Sequence, residues 1–199
     1  MSNTAQPGRG TIGPVRFSYM TVFRPRVNQS KGAEEYSVVL LIPKQPNEFC
    51  KDPVAVGKNA NGLIKAALSA KFGENVPKWD SPLKDGDKET DNEGSPKHPG
   101  YWYISASAKS EYPPLLIDCD REPVVGGWQS GDWGKANIYF YAYEFQGRKG
   151  VGAGLRGVQF LYHDEPLGGG VSASIDDFDV EDGDKSSDHS VGVGDPFAD

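Results

Sequence analysis

Three tyrosines at alternate positions, followed closely by two cations, are the side chains of this sequence best suited to molecular recognition. Tyr139, Tyr141 and Tyr143 share one face of a predicted strand, and Arg148 and Lys149 come just after it. Nucleic-acid bases stack on aromatic rings, while phosphates need positive charge. The pattern therefore indicates a surface for a nucleic-acid strand. The alternative is that the tyrosines only reflect the strand propensity of aromatic residues.

Other aromatic and basic residues extend this hypothesis along the chain. Trp79 follows Lys78 in a loop rich in Pro, Gly and charge, and Tyr101 and Tyr103 alternate on another predicted strand. These three aromatics join the tyrosines as predicted stacking residues. The predicted phosphate contacts are Arg16, Arg24, Arg26, Lys44, Lys78, Lys109, Arg148, Lys149 and Arg156. The alternative for cations on strands is that long basic side chains cover exposed sheet.

Asp118, Asp120 and Glu122 offer the main catalytic alternative, because carboxylates on one strand face could hold magnesium for a nuclease. No lysine lies at a nuclease-like spacing, and the three histidines are scattered. The acidic stretch DGDKETDNEG lacks the glycine and glutamate positions of a calcium-binding loop. The phosphate-binding motif GxxxxGK[ST] does not occur in the sequence. We therefore expect no catalytic residue, no metal and no cofactor, and a protein that is not an enzyme.

The net charge of -7 belongs to one end of the chain. Residues 171–199 contain nine acidic residues and one lysine, so residues 1–170 carry a formal charge of +1. A segment this polar cannot bury itself, and its composition predicts a disordered acidic tail. Tethered to the body, such a tail could occupy a cationic groove until a nucleic acid displaces it. The alternative is that the tail only keeps the protein soluble.

The sequence predicts neither membrane insertion nor export. No apolar run approaches the roughly 20 residues that span a bilayer, and residues 1–10 lack the apolar core of a signal peptide. Cys50 and Cys119 form neither a metal-ligand spacing nor a disulfide framework, which is typical of a reducing compartment. We expect an intracellular protein.

The elements that must position these residues are mainly strands. Alternating or apolar patterns predict strands over residues 13–26, 36–43, 101–107, 115–120, 138–145 and 151–162, and a helix over residues 53–72. The first strand is expected to alternate without interruption and to end at Pro25. Ile138, Phe140 and Ala142 are expected to face the core, opposite the tyrosines.

This set of elements favours a mainly β fold, namely a small antiparallel barrel of the OB-fold type with one inserted helix. A β-sandwich is the second choice. The predicted organisation is a flexible arm at residues 1–10, the barrel domain at 11–170 and the disordered acidic tail at 171–199.

Several motifs, taken in order, resemble one known family. They are FSYMTVFRPR, YSVVLLIPK, SPLKDGD, YWYISASAK, NIYFYAYEFQGRKGVGAGLRGVQFL and EPLGGGVSASIDDF, and they extend from about Ser18 to Phe178. In this order they resemble the single-stranded DNA-binding proteins of bacteriophages, a family long known only as a domain of unknown function. The resemblance implies an OB-fold, binding of single-stranded DNA in phage replication and recombination, the cytoplasm of the bacterial host, and no catalysis.

The end of the chain carries a second likeness. Asp195, Pro196 and Phe197 are similar to the acidic, aromatic-tipped tails of bacterial and phage single-stranded DNA-binding proteins, which recruit replication enzymes and compete with DNA. Here Ala198 and Asp199 follow the phenylalanine, a departure from tails that end on it. We expect a sequence-tolerant single-stranded DNA-binding protein, with replication and recombination proteins as tail partners. The alternatives are a structural phage virion protein and, more remotely, a magnesium-dependent nuclease.

Overall fold

Seven strands and one helix follow one another in the computed structural model, which describes residues 7–29, 32–76 and 78–167. In chain order they are β1 (Arg9–Asn28), β2 (Ala33–Pro43), α1 (Pro53–Phe72), β3 (Leu83–Asp85), β4 (Tyr101–Lys109), β5 (Leu115–Ile117), β6 (Trp133–Phe145) and β7 (Arg148–Tyr162). The predicted mainly β class with one helix is confirmed. Because β1 begins at Arg9, residues 9 and 10 of the predicted arm are part of a strand. The predicted tail, residues 171–199, lies outside the described residues.

Five of the strands close into a barrel. Neighbouring strands pair in the order β4, β2, β1, β6 and β7, and a parallel pairing of Ser107 in β4 with Gly154 in β7 closes the ring. The other pairings within the ring are antiparallel. The short strands β3 and β5 add to the sheet beside β4 and β7. This closed five-stranded barrel confirms the OB-like fold that the strand patterns favoured over a sandwich.

β1 contains a bulge that the sequence pattern does not reveal. Phe17 points into the core, but the pairing with β2 shifts after Ser18, and Tyr19 adopts a φ of 46° and is exposed. Beyond this shift Val22 is fully buried. It lies five residues after Phe17, whereas uninterrupted alternation would bury only residues at even separations from Phe17. A bulge adds one residue to a strand and changes which face the following residues occupy. The expected uninterrupted alternation of this strand was therefore wrong.

Pro25 does not end the strand, contrary to the expectation from sequence. β1 continues to Asn28, which pairs with Ala33 at the start of β2. The pairing is irregular between Thr21 and Arg26. Proline has no N–H to give to a neighbouring strand, so it is tolerated where the regular hydrogen-bond ladder is interrupted.

α1 matches its prediction at both ends. The Asp52 side chain accepts a hydrogen bond from the N–H of Ala55, Pro53 occupies the first turn, and Gly73 follows the last turn with a φ of 81°. The helix packs chiefly against β6 and β1, which it covers with a stripe of buried residues. No helix in the described part of the chain has the length and apolar character needed to span a membrane.

β6 divides its side chains between the core and the outer surface. Ile138 and Phe140 are buried, whereas Tyr139 and Tyr141 are exposed. The core that the apolar residues of β6 join also contains Ile12, Phe17, Leu40, Ile104, Trp133 and Phe160. The predicted division of this strand into a core face and a tyrosine face is confirmed.

One carboxylate is fully buried just before β6. Asp132 accepts hydrogen bonds from the N–H groups of Gln129 at 2.8 Å and Asp164 at 3.1 Å, and its Oδ2 lies 3.3 Å from Nδ1 of His163. These contacts join the turn before β6 to the chain that follows β7. Burying a carboxylate costs free energy unless the carboxylate is hydrogen-bonded. The two N–H groups therefore stabilise the buried Asp132 carboxylate, which in turn satisfies them.

Replacing this fully buried carboxylate, in Asp132→Ala, should lower the free energy of unfolding by about 2–4 kcal/mol, because two part-buried N–H groups lose their acceptor. Urea unfolding followed by circular dichroism measures the change. Asp120→Ala removes an exposed carboxylate and serves as the control, with an expected change of no more than about 0.5 kcal/mol. A loss below about 1 kcal/mol for Asp132→Ala would contradict this structural role.

Candidate nucleic-acid interface

Tyr139, Tyr141 and Tyr143, here called the tyrosine row, lie on the outer face of the barrel. Their exposed fractions are 42%, 47% and 36%, so each ring is open to solvent in part. The pairing of β6 with β7 places a glycine directly opposite each tyrosine: Gly154 opposite Tyr139, Gly152 opposite Tyr141 and Gly150 opposite Tyr143. The rings extend sideways over these glycines and cover the β7 backbone. The ring centroids of Tyr139 and Tyr141 are 5.7 Å apart.

The first groove, of about 660 Å³, runs along Tyr139 and Tyr141. Its other walls are the start of β2, the end of β4 and the loop after β4. Two predicted phosphate contacts, Lys109 and Arg156, line this groove and are exposed. Nη1 of Arg156 donates to Oδ1 of Asn137 at 3.0 Å, which holds the guanidinium beside β6. Aromatic rings and cations therefore border one groove, as the stacking of bases and the neutralisation of phosphates require.

The second groove, also of about 660 Å³, contains Tyr143 and Trp79. Two lysines that were not predicted from the sequence, Lys84 and Lys88, line it as well. Their Nζ atoms lie 3.8 and 3.9 Å from neighbouring carboxylate oxygens. Ion pairs of exposed lysines contribute little to stability, so these cations can change partner at low cost.

The third groove, of about 400 Å³, brings Trp79 together with Lys78, Arg148 and Lys149. The backbone fixes this arrangement, because the N–H of Asp80 donates to the carbonyl of Lys149 at 2.9 Å. The carbonyl of Asp80 in turn accepts a hydrogen bond from β7 at 3.0 Å. The loop that carries Trp79 is thereby joined to the strand that carries two of the predicted cations.

The first and second grooves are lined by successive members of the tyrosine row, and the second and third grooves share Trp79 and Asp80. Tyr139 and Tyr141 line the first groove, Tyr143 lines the second, and Trp79 lines both the second and the third. Residues two apart along a strand are separated by about 6.6 Å, so the tyrosine row spans about 13 Å. A nucleic-acid strand that follows this path would meet the tyrosines in turn, with cations at both ends.

Two predicted stacking residues lie elsewhere. Tyr103 is only 8% exposed and packs against His98, with ring centroids 4.8 Å apart. Burial raises the pKa of the Tyr103 hydroxyl and lowers the pKa of the His98 imidazole. Tyr101 packs partly against the core and lines a separate groove beside Tyr19. Of the predicted aromatic residues, the structure therefore brings together the tyrosine row and Trp79.

Arg16 is a predicted phosphate contact that the structure places in an internal network. It donates hydrogen bonds to the carbonyls of Gly131 at 2.8 Å and Glu165 at 2.9 Å, and it pairs with Asp164 at 3.0 Å. Its side chain is only 14% exposed. These contacts fasten β1 to the chain on either side of β6 and β7, which is a structural role.

Lys44 is also engaged within the protein. Its ammonium pairs with Asp85 and with Asp87, and the hydrogen bond to Asp85 is the main reason why the pKa of Lys44 lies above its ordinary value. Arg24 and Arg26 are exposed on the outer part of β1 and do not line the three grooves. The predicted cations that the structure gathers around the aromatic path are Lys78, Lys109, Arg148, Lys149 and Arg156.

Sequence reasoning missed one aromatic residue of the first groove. Tyr112 is 68% exposed and lines this groove beside Pro113, in the loop after β4. The signal that could have identified it is the one that identified Trp79, an aromatic in a proline-containing loop between strands. Lys84 and Lys88 carried no comparable signal, since many other lysines of the sequence are equally polar and isolated.

The three carboxylates considered for nuclease chemistry do not share a strand face, contrary to expectation. β5 ends at Ile117, and Asp118 begins a turn in which its Oδ1 accepts hydrogen bonds from the N–H groups of Asp120 and Glu122, both at 2.9 Å. Ligand atoms of Asp118, Cys119 and Asp120 lie within 4.8 Å of one another. Because Asp118 stabilises the turn, the cluster has an ordinary structural explanation.

Comparisons with known proteins agree with this geometry. A family model described as Enterobacter phage Enc34, ssDNA-binding protein, matches residues 10–189. Putative protein p50 of Acyrthosiphon pisum secondary endosymbiont phage 1 is 33% identical over 189 residues, which cover 84% of this chain and 91% of p50.

Solved structures share the fold. The single-stranded DNA-binding protein from bacteriophage Enc34, in complex with ssDNA, matches with a TM-score of 0.65 at 24% identity, over 84% of this chain and 97% of that one. The single-stranded DNA-binding protein gp2.5 of bacteriophage T7 matches with a TM-score of 0.50 at 14% identity, over 83% and 98% of the two chains. The family match and the p50 relative cover most of the sequence, and the chain belongs to the family of the Enterobacter phage Enc34 single-stranded DNA-binding protein.

Proposed function

We propose that this protein binds single-stranded DNA along the tyrosine row and Trp79. The observation that carries the proposal is the row of three part-exposed rings between grooves lined by cations. Bases stack on the rings, while Lys109 and Arg156 at one end, and Lys78, Arg148 and Lys149 at the other, contact phosphates. Membership in a family of phage single-stranded DNA-binding proteins supports the same function.

The chemistry of this surface makes binding tolerant of sequence. Every base has an aromatic face, and stacking contributes about 1–3 kcal/mol per base whichever base it is. Phosphate contacts are equally independent of base sequence, and they make the affinity for DNA fall as the salt concentration rises. Such a protein protects and orders single strands, and we propose that it does so during phage DNA replication and recombination in the cytoplasm of the bacterial host.

The protein acts by binding alone in this proposal, without a catalytic step. Asp118, the central residue of the nuclease hypothesis, already accepts two backbone hydrogen bonds within its turn. The family favours DNA binding over the alternative of a structural virion protein. Neither the nuclease nor the virion-protein alternative accounts for the rings and cations that line the three grooves.

The tyrosine row is tested by Tyr141→Ala. Loss of one stacking ring should weaken binding of a fluorescein-labelled oligo-dT about 5- to 150-fold, which corresponds to about 1–3 kcal/mol. Fluorescence anisotropy measures the dissociation constant. Tyr162→Ala is the matched control, because Tyr162 is 49% exposed, close to the 47% of Tyr141, but does not line the three grooves. Equal effects of the two substitutions would refute the proposed surface.

The phosphate contacts are tested by Lys109→Gln. Each contact with a single strand contributes about 0.7 to the slope of log K against log salt concentration, so this variant should show a slope shallower by about 0.7. Titrations of oligo-dT at several salt concentrations give the slope. Lys58→Gln removes an exposed lysine of α1 outside the three grooves and should leave the slope unchanged. An unchanged slope for Lys109→Gln would exclude Lys109 from the interface.

We further propose that the acidic tail, residues 171–199, competes with DNA for these cations. The proposal is supported by the segregation of charge, with nine acidic residues in the tail and a formal charge of +1 in the rest of the chain. Asp195, Pro196 and Phe197, the proposed contact for replication proteins, lie outside the described residues. A tethered polyanion reaches a local concentration on the order of millimolar, enough to oppose weak phosphate contacts.

Replacing the eight tail aspartates by asparagine should therefore tighten binding of oligo-dT severalfold at low salt, and the difference should shrink as salt screens the charges. The same eight positions replaced by glutamate keep the charge and provide the control, which should bind as the native chain does. Anisotropy titrations at two salt concentrations measure both effects. Equal affinities of the asparagine and glutamate variants would rule out competition by charge.

A further inference from the structure

Gly150, Gly152 and Gly154 occupy alternate positions on the outer face of β7, opposite the tyrosine row. None of the three has a φ in the left-handed region, so the backbone conformation alone does not require glycine there. Glycine is disfavoured within strands because it has no side chain to pack and loses the most freedom on folding. Three in succession on one face therefore call for an explanation from their surroundings.

The surroundings of each glycine are the ring of the tyrosine opposite. A Cβ at Gly150 would lie 2.6 Å from Cζ and Oη of Tyr143. A Cβ at Gly152 would likewise lie under 3.0 Å from the ring of Tyr141, and one at Gly154 under 3.0 Å from the ring of Tyr139. Each ring thus uses the space that a side chain on β7 would fill, and it rests on the backbone.

We propose that these three glycines are positioning residues for DNA binding, an inference that rests on the proposed function. With no side chain beneath it, each tyrosine ring lies over β7 and keeps its other face open to the groove. A methyl group at any of these positions lifts or swings the ring, because the ring end of a tyrosine side chain yields more easily than the sheet. The altered ring no longer presents the same face to a base.

Direct contact of DNA with the glycines would be a different reason for small residues at these positions. The rings occupy the space over the glycines, so a nucleic-acid backbone that enters from the groove meets the tyrosines first. The three glycine–tyrosine pairs are also all directly opposite in register, which an independent contact with DNA would not require. The geometry thus assigns the glycines a role through the tyrosines.

Gly152→Ala is the sharpest test of this role. Gly154 pairs with β4 where the barrel closes, and Gly150 pairs with Asp80, whereas Gly152 has only its pairing with Tyr141. The variant should bind oligo-dT about three- to tenfold more weakly than the native chain, a part of the effect of losing a stacked base. Gly126→Ala is the control, because a Cβ at Gly126 would meet nothing within 4 Å.

A double-mutant cycle separates ring positioning from a general structural effect. The full chain is measured by anisotropy as native, Gly152→Ala, Tyr141→Ala and the double variant, with thermal unfolding to verify that each is folded. In the double variant, Gly152→Ala should cause no further loss, because the ring on which it acts is gone.

Three outcomes would overturn the inference. If Tyr141→Ala weakens binding while Gly152→Ala does not, the ring binds DNA without needing the glycine, and the proposed function survives alone. If Gly152→Ala weakens binding equally in both backgrounds, its effect does not pass through the ring. If Tyr141→Ala has no effect, the proposed surface fails and the inference fails with it.

Discussion

The antiparallel pairing of β6 with β7 is the interaction on which the rest of the molecule depends. It runs from Trp133 opposite Tyr162 to Phe145 opposite Arg148. Because side chains alternate along a strand, a slip of one residue would send the tyrosines into the core and the apolar residues out to water. Burial of a large apolar side chain such as Phe140 contributes about 1.5–3 kcal/mol, so the core fixes the register. The arrangement of the outer surface is therefore a consequence of packing inside.

The contacts that β7 makes away from β6 position the walls of the grooves. Its pairing with Ser107 closes the barrel and sets the end of β4 beside Tyr139, while its contact with Asp80 sets the Trp79 loop beside the β6–β7 hairpin. Both walls thus attach to the strand on which the tyrosine rings rest. The closed barrel and the grooves share one set of backbone hydrogen bonds, so the grooves form only when the barrel has closed.

Local patterns in the sequence predicted what depends on alternation alone, and they failed where distant parts of the chain meet. The two faces of β6 follow from the two-residue alternation of its side chains, and the ends of α1 follow from its capping residues. Both features were predicted. Tyr103 alternates as Tyr141 does, yet the loop before β4 covers it. Arg16 is as basic as Lys109, but its partners lie more than 100 residues away in sequence. The alternation and charge of residues along the sequence do not reveal such distant partners. They therefore could not distinguish cations with internal partners from cations that line the grooves.

The way in which the rings are supported bears on how the proposed DNA-binding surface would act. A ring that rests on a strand backbone has little conformational freedom to lose when a base stacks on it, because the sheet already restricts its motion. A tyrosine held between flexible side chains would give up that freedom on binding, and the affinity would fall accordingly. In the proposed interface, the pairing of tyrosine with glycine thus replaces specific contacts with pre-organisation. This would suit sequence-tolerant binding, since rigidity raises the affinity for all bases without selecting among them.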